Sequence, residues 1–147
     1  MTVCDARPVF ATRERFRAAH RVVTRWPHAY LASTPADERT VVCVLTHDPK
    51  FDVPALLAAL RTPAGYIGVT GSRRTHESRV AAPRAEGASE ARLRGLSSPI
   101  GLDVGGRTPE ETAVAIAAEI ISSRTGATGR PLATLSGAIH RAGTAAH

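Results

Sequence analysis

The sequence predicts an α/β fold in three layers, a parallel sheet with helices on both faces, and three observations carry that expectation. Thr40-Val41-Val42-Cys43-Val44-Leu45 is continuously apolar and β-branched, which suits a strand buried on both faces. Tyr66-Ile67 runs into Gly68-Val69-Thr70-Gly71-Ser72 and then into the polar stretch Arg73–Arg79, a strand–glycine turn–helix order. Thr108-Pro109-Glu110-Glu111 places an N-cap threonine, a first-position proline and a reciprocal glutamate before a long apolar-periodic segment.

The totals bound the rest. At 147 residues the chain is one domain by length, and with 4% aromatic residues its core must be built from Val, Ile, Leu and Ala. No apolar run approaches the roughly 20 residues of a membrane span, and the N-terminus lacks a basic-then-apolar leader pattern. An intracellular, cytoplasmic location is the expectation. The net charge of +6 comes almost wholly from arginines spread along the chain, Lys50 being the single lysine. Without basic–aromatic clusters that charge argues against nucleic-acid binding.

Taken in order, Val3-Cys4-Asp5 reads as a short strand ending in an acidic residue, and Arg7-Pro8 as an extended turn. An acidic residue at such a strand end bonds a ribose hydroxyl in dinucleotide folds, so Asp5 is a candidate for that role and equally a turn aspartate. Arg13–Ala19 reads as a short helix or loop anchored by Phe16. Arg21–Thr24 reads as a strand stopped by Trp26-Pro27-His28, and Ser33–Arg39 as a polar connection. Cys4 and Cys43 lie in β-branched runs and read as buried apolar groups, with no spacing suited to zinc or a redox pair.

Thr46-His47-Asp48-Pro49-Lys50-Phe51-Asp52 follows the Thr40–Leu45 strand at its carboxyl end, where ligands gather in open α/β sheets. His47 and Asp48 are therefore candidate site residues, against a reading of plain turn bonding at Asp48-Pro49. Asp52 is expected to cap a helix over Val53–Leu60 with Leu56, Leu57 and Leu60 as its apolar stripe.

Gly68 and Gly71 let a backbone turn tightly and approach a ligand closely. Ser72, Arg73 and Arg74 at the following helix start add amides, a positive dipole end and two guanidinium forks, which together suit an anion such as a phosphate. Thr75–Glu86 reads as a helix that kinks or ends near Ala82, because Pro83 costs ~3 kcal/mol or more inside a helix; Gly87 closes it. His76 and Glu77 are adjacent and share no helix face, so no metal site is expected there. Pro99-Ile100-Gly101-Leu102-Asp103 opens a second glycine turn. In the last helix Ala113, Ile116, Ala117, Ile120 and Ile121 read as one apolar face, and Gly126 as the stop. Residues 1–131 then form the domain, and 132–147, rich in Ala, Gly and Thr, a mobile tail.

Four of these pieces in this order, Thr46–Asp52, Gly68–Arg74, Pro99–Asp103 and Arg107-Thr108-Pro109-Glu110-Glu111, resemble the C-terminal Rossmann domain of the XdhC/CoxI family over about Val3–Pro131. The resemblance implies a Rossmann-like parallel sheet. It also implies an accessory role toward xanthine dehydrogenase or aerobic carbon monoxide dehydrogenase, by holding molybdenum cofactor (molybdopterin or its nucleotide form), assisting its sulfuration and passing it to the apo-enzyme. The partners implied are that molybdenum hydroxylase and a cysteine desulfurase, with homodimerisation a further expectation. The cofactor-binding candidates are Asp5, His47, Asp48, Gly68, Gly71, Ser72, Arg73, Arg74, Gly101 and Asp103, with no metal ligands.

The sequence departs from that family pattern at its start. Nothing in it matches the N-terminal domain with its cysteine-bearing glycine motif, or the first Rossmann strand with its Gly-x-Gly turn, so the fold is expected to be N-terminally truncated. Loss of the first strand leaves the strands at Val3 and Val22 without their neighbour and the Val41 strand with an unpaired edge. In that order Cys4 and Cys43 stand about 9–10 Å apart, too far to bridge. Strand slippage, direct pairing of the Val3 and Val41 strands, or strand exchange in a dimer each close the gap. The competing functions are an NAD(P)-dependent oxidoreductase using His47 or Asp48 as acid–base group, and an inactive truncated interaction module.

Overall fold

The computed structural model describes residues 1–71 and 80–139. In chain order it contains β1 (Thr2–Cys4), β2 (Arg21–Val23), α1 (Pro27–Ala32), β3 (Val41–Val44), α2 (Pro49–Leu60), β4 (Tyr66–Val69), helical residues 80–85 (α3), α4 (Glu90–Arg94), β5 (Leu96–Ser97), α5 (Pro109–Thr125) and a 3-10 turn at Leu132–Thr134. None of the described helices is long and apolar enough to cross a membrane.

Every strand pair is parallel, but the strands fall into two separate sheets. β1 pairs with β2, Val3 opposite Val22; β3, β4 and β5 form a second sheet in that order, with Val42 opposite Ile67 and Gly68 opposite Ser97. Among the described residues the Val3 and Val41 strands do not pair directly, so that way of closing the gap is not adopted. The halves are joined by α1 lying along α2. They also meet beyond the carboxyl ends of β2 and β3, where Trp26 stacks on Phe51 with 5.0 Å between centroids.

The core lies between the larger sheet and α2. Val44, Ile67 and Val69 pack with Ala55, Leu56, Ala59 and Leu60, and with Val80, Leu93 and Leu96. Close helix–sheet approach follows from the alanines at 55 and 59, which leave room for the strand residues. α4 is tied in by Arg92, whose guanidinium donates to the carbonyls of Thr62 (2.7 Å) and Ala64 (3.2 Å).

Several elements depart from the sequence expectation. Trp26-Pro27 opens α1 instead of merely ending β2, whereas residues 13–18 form turns, the loop alternative of that stretch. α2 begins at Pro49, with the Asp48 side chain accepting from the Lys50 amide, so Asp48 and not Asp52 is the cap. Asp52 is instead buried in the first turn and accepts from the Thr46 hydroxyl. α3 continues through Pro83 to residue 85, and the fully buried proline ring offsets its missing amide by packing.

α5 begins and ends as its sequence requires. Thr108 and Glu111 form the reciprocal capping box, and Gly126 adopts φ 66°. Its buried side differs from the expected face: Ala115 is buried, whereas Ala113, Ala117 and Ile121 are exposed. The Glu119 carboxylate explains the rotation. It accepts from the Tyr66 hydroxyl and from the Gly101 amide, each at 2.6 Å, and so turns the 115–119 side onto β4. From residue 123 to 139 every described residue is exposed.

Candidate functional site

Parallel pairing delivers the carboxyl end of each strand to the same edge of its sheet. β1 ends at Asp5, β3 at Thr46-His47-Asp48, β4 at Thr70-Gly71 and β5 at the loop carrying Gly101 and Asp103.

Asp5 is held by the turn that follows it. Its carboxylate takes the Arg7 amide and Nε at 2.9 Å and Nη2 at 2.7 Å. The Arg7 guanidinium, by its hydrogen bonds first, holds Asp5 below the usual carboxylate range against the opposing effect of burial. The turn role is thus the one its geometry displays. Arg7 itself lies over two rings, 4.3 Å from the Phe10 centroid and 4.8 Å from that of Phe51. Phe51 in turn stacks on Trp26, and the Lys50 ammonium lies 5.5 Å from the Trp26 centroid. This cation–aromatic layer spans the two sheets. No local signal in the sequence pointed to it, because its members come from three separate stretches; the concentration of Phe51 and Lys50 beside His47 was the one available hint.

The β3 and β4 ends are fastened by Thr70. Its amide donates to the Val44 carbonyl at 2.9 Å and its hydroxyl to the Thr46 carbonyl at 3.1 Å. His47 stands exposed beyond this fastening. Asp48 fills the N-terminus of α2 with a carboxylate of the protein itself, which leaves that helix end unsuited to a second anion.

The glycines divide by role. Gly68 lies inside β4, and a Cβ there would sit 2.4 Å from the Ile100 side chain, so the missing side chain makes room for Ile100. Gly71 opens the turn after β4 with φ 154°. Gly101 gives its amide to Glu119, and Asp103 is exposed. Ser72, Arg73 and Arg74 lie outside the described residues. The structure therefore brings Asp5, His47, Asp48 and Gly71 to the strand ends, while Gly68 and Gly101 are engaged with the protein's own core. A groove of about 500 Å³ between α1 and α2, lined by His28, Leu31, Leu57 and Arg61 among others, includes none of the sequence-predicted residues.

Cys4 and Cys43 are free thiols. The Cys4 Sγ donates to the Arg25 carbonyl at 3.3 Å, and burial pushes both thiols up.

Comparison with known proteins places this geometry. The sequence model described as the XdhC Rossmann domain matches residues 1–120. The chain belongs to the XdhC Rossmann-domain family. It is 28% identical over 122 residues to a probable xanthine dehydrogenase subunit of Bacillus subtilis, covering 83% of this chain and 35% of that one. It is 32% identical over 93 residues to the molybdenum cofactor insertion chaperone PaoD of Escherichia coli, covering 63% and 29%. The crystal structure of a xanthine dehydrogenase from Bacillus halodurans superposes with a TM-score of 0.72 at 25% identity, over 91% of this chain and 37% of that one. The chain spans about a third of the length of these relatives. The α/β Rossmann-type expectation is met by the family match and by this superposition, which takes in both sheets together.

Proposed function

We propose that this XdhC-type domain is a non-catalytic accessory module for a molybdenum hydroxylase, and that it holds molybdenum cofactor, as molybdopterin or its nucleotide form, for transfer to the apo-enzyme. The observation that carries the reading is its similarity to a protein named as a molybdenum cofactor insertion chaperone. Assistance in sulfuration, contact with a cysteine desulfurase and homodimerisation are finer parts of the same proposal.

The strand ends are compatible with such a group in their described part. A planar, polar ring system meets an exposed imidazole at His47 and an indole face at Trp26, 41% exposed. The anionic end is assigned to the turn that Gly71 opens and to Ser72, Arg73 and Arg74, since the amides of the α2 N-terminus already serve Asp48. The cofactor supplies the metal chemistry; the protein's part is to bind, orient and release it.

The test is a thermal melt followed by circular dichroism, alone and with molybdopterin, its nucleotide form or NADPH. A transition raised by molybdopterin or its nucleotide and not by NADPH is expected. Arg73→Ala is expected to remove most of the rise. A rise with NADPH alone would overturn the proposal, and an undiminished rise in the Arg73 variant would overturn the anion assignment.

A further inference from the structure

We infer that the outer face of α5 is a self-complementary docking surface, on which a second copy of this chain seats its own α5 antiparallel, about a twofold axis at Ala117. The inference rests on the homodimerisation in the preceding reading and not on what the strand ends bind.

Helical spacing defines the surface. Glu110, Val114, Ala117, Ile121 and Arg124 follow one another at intervals of four, three, four and three residues. At about 100° per residue they fall within an arc of about 80°. Buried Ala115, and Glu119 with its bond to Tyr66, lie on the opposite side of the helix. All five residues of the stripe are exposed, Val114 at 65% and Ile121 at 54%. One exposed branched residue needs no explanation. Two of them in line, either side of an alanine and at an average spacing of about 3.5 residues, make the seam of a helix pair.

The order of residues along the stripe names the occupant. Glu110 and Arg124 stand seven residues to either side of Ala117 and carry opposite charges. Neither is in an ion pair among the described residues. A copy turned about Ala117 sets each Glu110 against the other copy's Arg124, and each Val114 against the other copy's Ile121. A parallel copy would set like charges together at both ends. The alanine on the axis lets the helices approach to about 8 Å, the short end of the usual range. The seam itself holds one carboxylate and one guanidinium, so the net charge of +6 is not concentrated where the copies meet.

The surface also carries a hole for its own knob. A depression of about 280 Å³, lined by Val104, Gly105, Gly106, Glu110 and Val114 among others, flanks the amino-terminal half of the stripe. The glycines keep its wall low, and Val104, 58% exposed, makes it apolar. In the antiparallel arrangement Ile121 of the second copy faces this depression, and the twofold axis repeats the contact. One helix pair makes a smaller interface than the roughly 1,600 Å² of a standard complex, so weak, micromolar association is expected.

The experiment is sedimentation equilibrium of the whole chain from low micromolar to millimolar concentration, with a thermal melt of each variant to check that it is folded. The parent is expected to dimerise with rising concentration. Glu110→Arg and Arg124→Glu are each expected to weaken self-association on the order of tenfold or more, since like charges then meet at both ends of the seam. Mixed in equal amounts, the two variants are expected to pair with each other at least as well as the parent pairs with itself. Ala117→Glu, at an exposed position, sets two carboxylates on the axis and is expected to abolish the dimer. A parent that stays monomeric to millimolar concentration would overturn the inference and homodimerisation with it, assigning the face to a different polypeptide. Dimers undiminished in all three variants would overturn the α5 seam alone. Single variants that weaken the dimer and do not rescue each other would overturn the antiparallel register. Cofactor binding is read separately, by the melt with molybdopterin.

Discussion

The Tyr66 hydroxyl donates to the Glu119 carboxylate across 2.6 Å, joining β4 to α5 over a separation of 53 residues. Burial first, and then this bond, push the phenol above its ordinary value. A raised folded value means the phenol's contribution to stability is complete below the unfolded value near about 10 and is lost as pH climbs through the folded one. Absorbance titration is expected to find Tyr66 ionising above the ordinary range. Glu119→Gln should bring the value down without restoring it, since burial remains. Tyr66→Phe should lower stability in urea by about 1–2 kcal/mol.

Gly68→Ala is expected to destabilise by about 1–3 kcal/mol, because the added methyl enters the space of the Ile100 side chain. Combining it with Ile100→Val should recover part of the loss. Additive penalties in urea denaturation would show that the crowding is not between these two residues.

Acid should find Asp5. Arg7 lowers its folded value, so the contribution of the pair is complete above the unfolded value near about 3.9 and disappears as pH falls through the lower folded one. Melting temperature measured below pH 4 is expected to drop less steeply in Asp5→Asn than in the parent, with the variant the less stable of the two at neutral pH.

Thr108→Ala removes the side-chain acceptor for the Glu111 amide and should cost about 1 kcal/mol. Thr108→Ser should restore most of it. Equal stability of the alanine variant and the parent would mean that Glu111, accepting from the Arg107 and Thr108 amides, holds the helix start by itself.

What was legible in the sequence was what rests on short-range chemistry. The Thr40–Leu45 and Tyr66 strands, the capping box at Thr108 and the Gly126 stop each write their signal within a few residues. Trp26-Pro27 misled because a proline that ends a strand can equally occupy the first helical position. Asp48-Pro49 misled likewise, a turn start being also a cap and first residue. The α5 face was misjudged because hydrophobic periodicity does not register Glu119, whose two hydrogen bonds orient the helix. At the strand ends, the positions of His47 and Asp48 followed from topology. The layer of Arg7, Phe10, Trp26 and Phe51 did not, since only the folded chain brings those rings together. The close approach of Ile100 to Gly68 could not be read either, since the two lie in separate stretches.

Trp26 is the chain's one tryptophan, and it rests on Phe51 where the β1–β2 pair meets the larger sheet. Indole fluorescence from this protein therefore reports on a single seam. Red-shifted emission marks the parting of the two halves, whether or not either half has melted. Emission that moves at a lower denaturant concentration than the far-ultraviolet helix signal would reveal a chain that comes apart in two stages, hinge before halves.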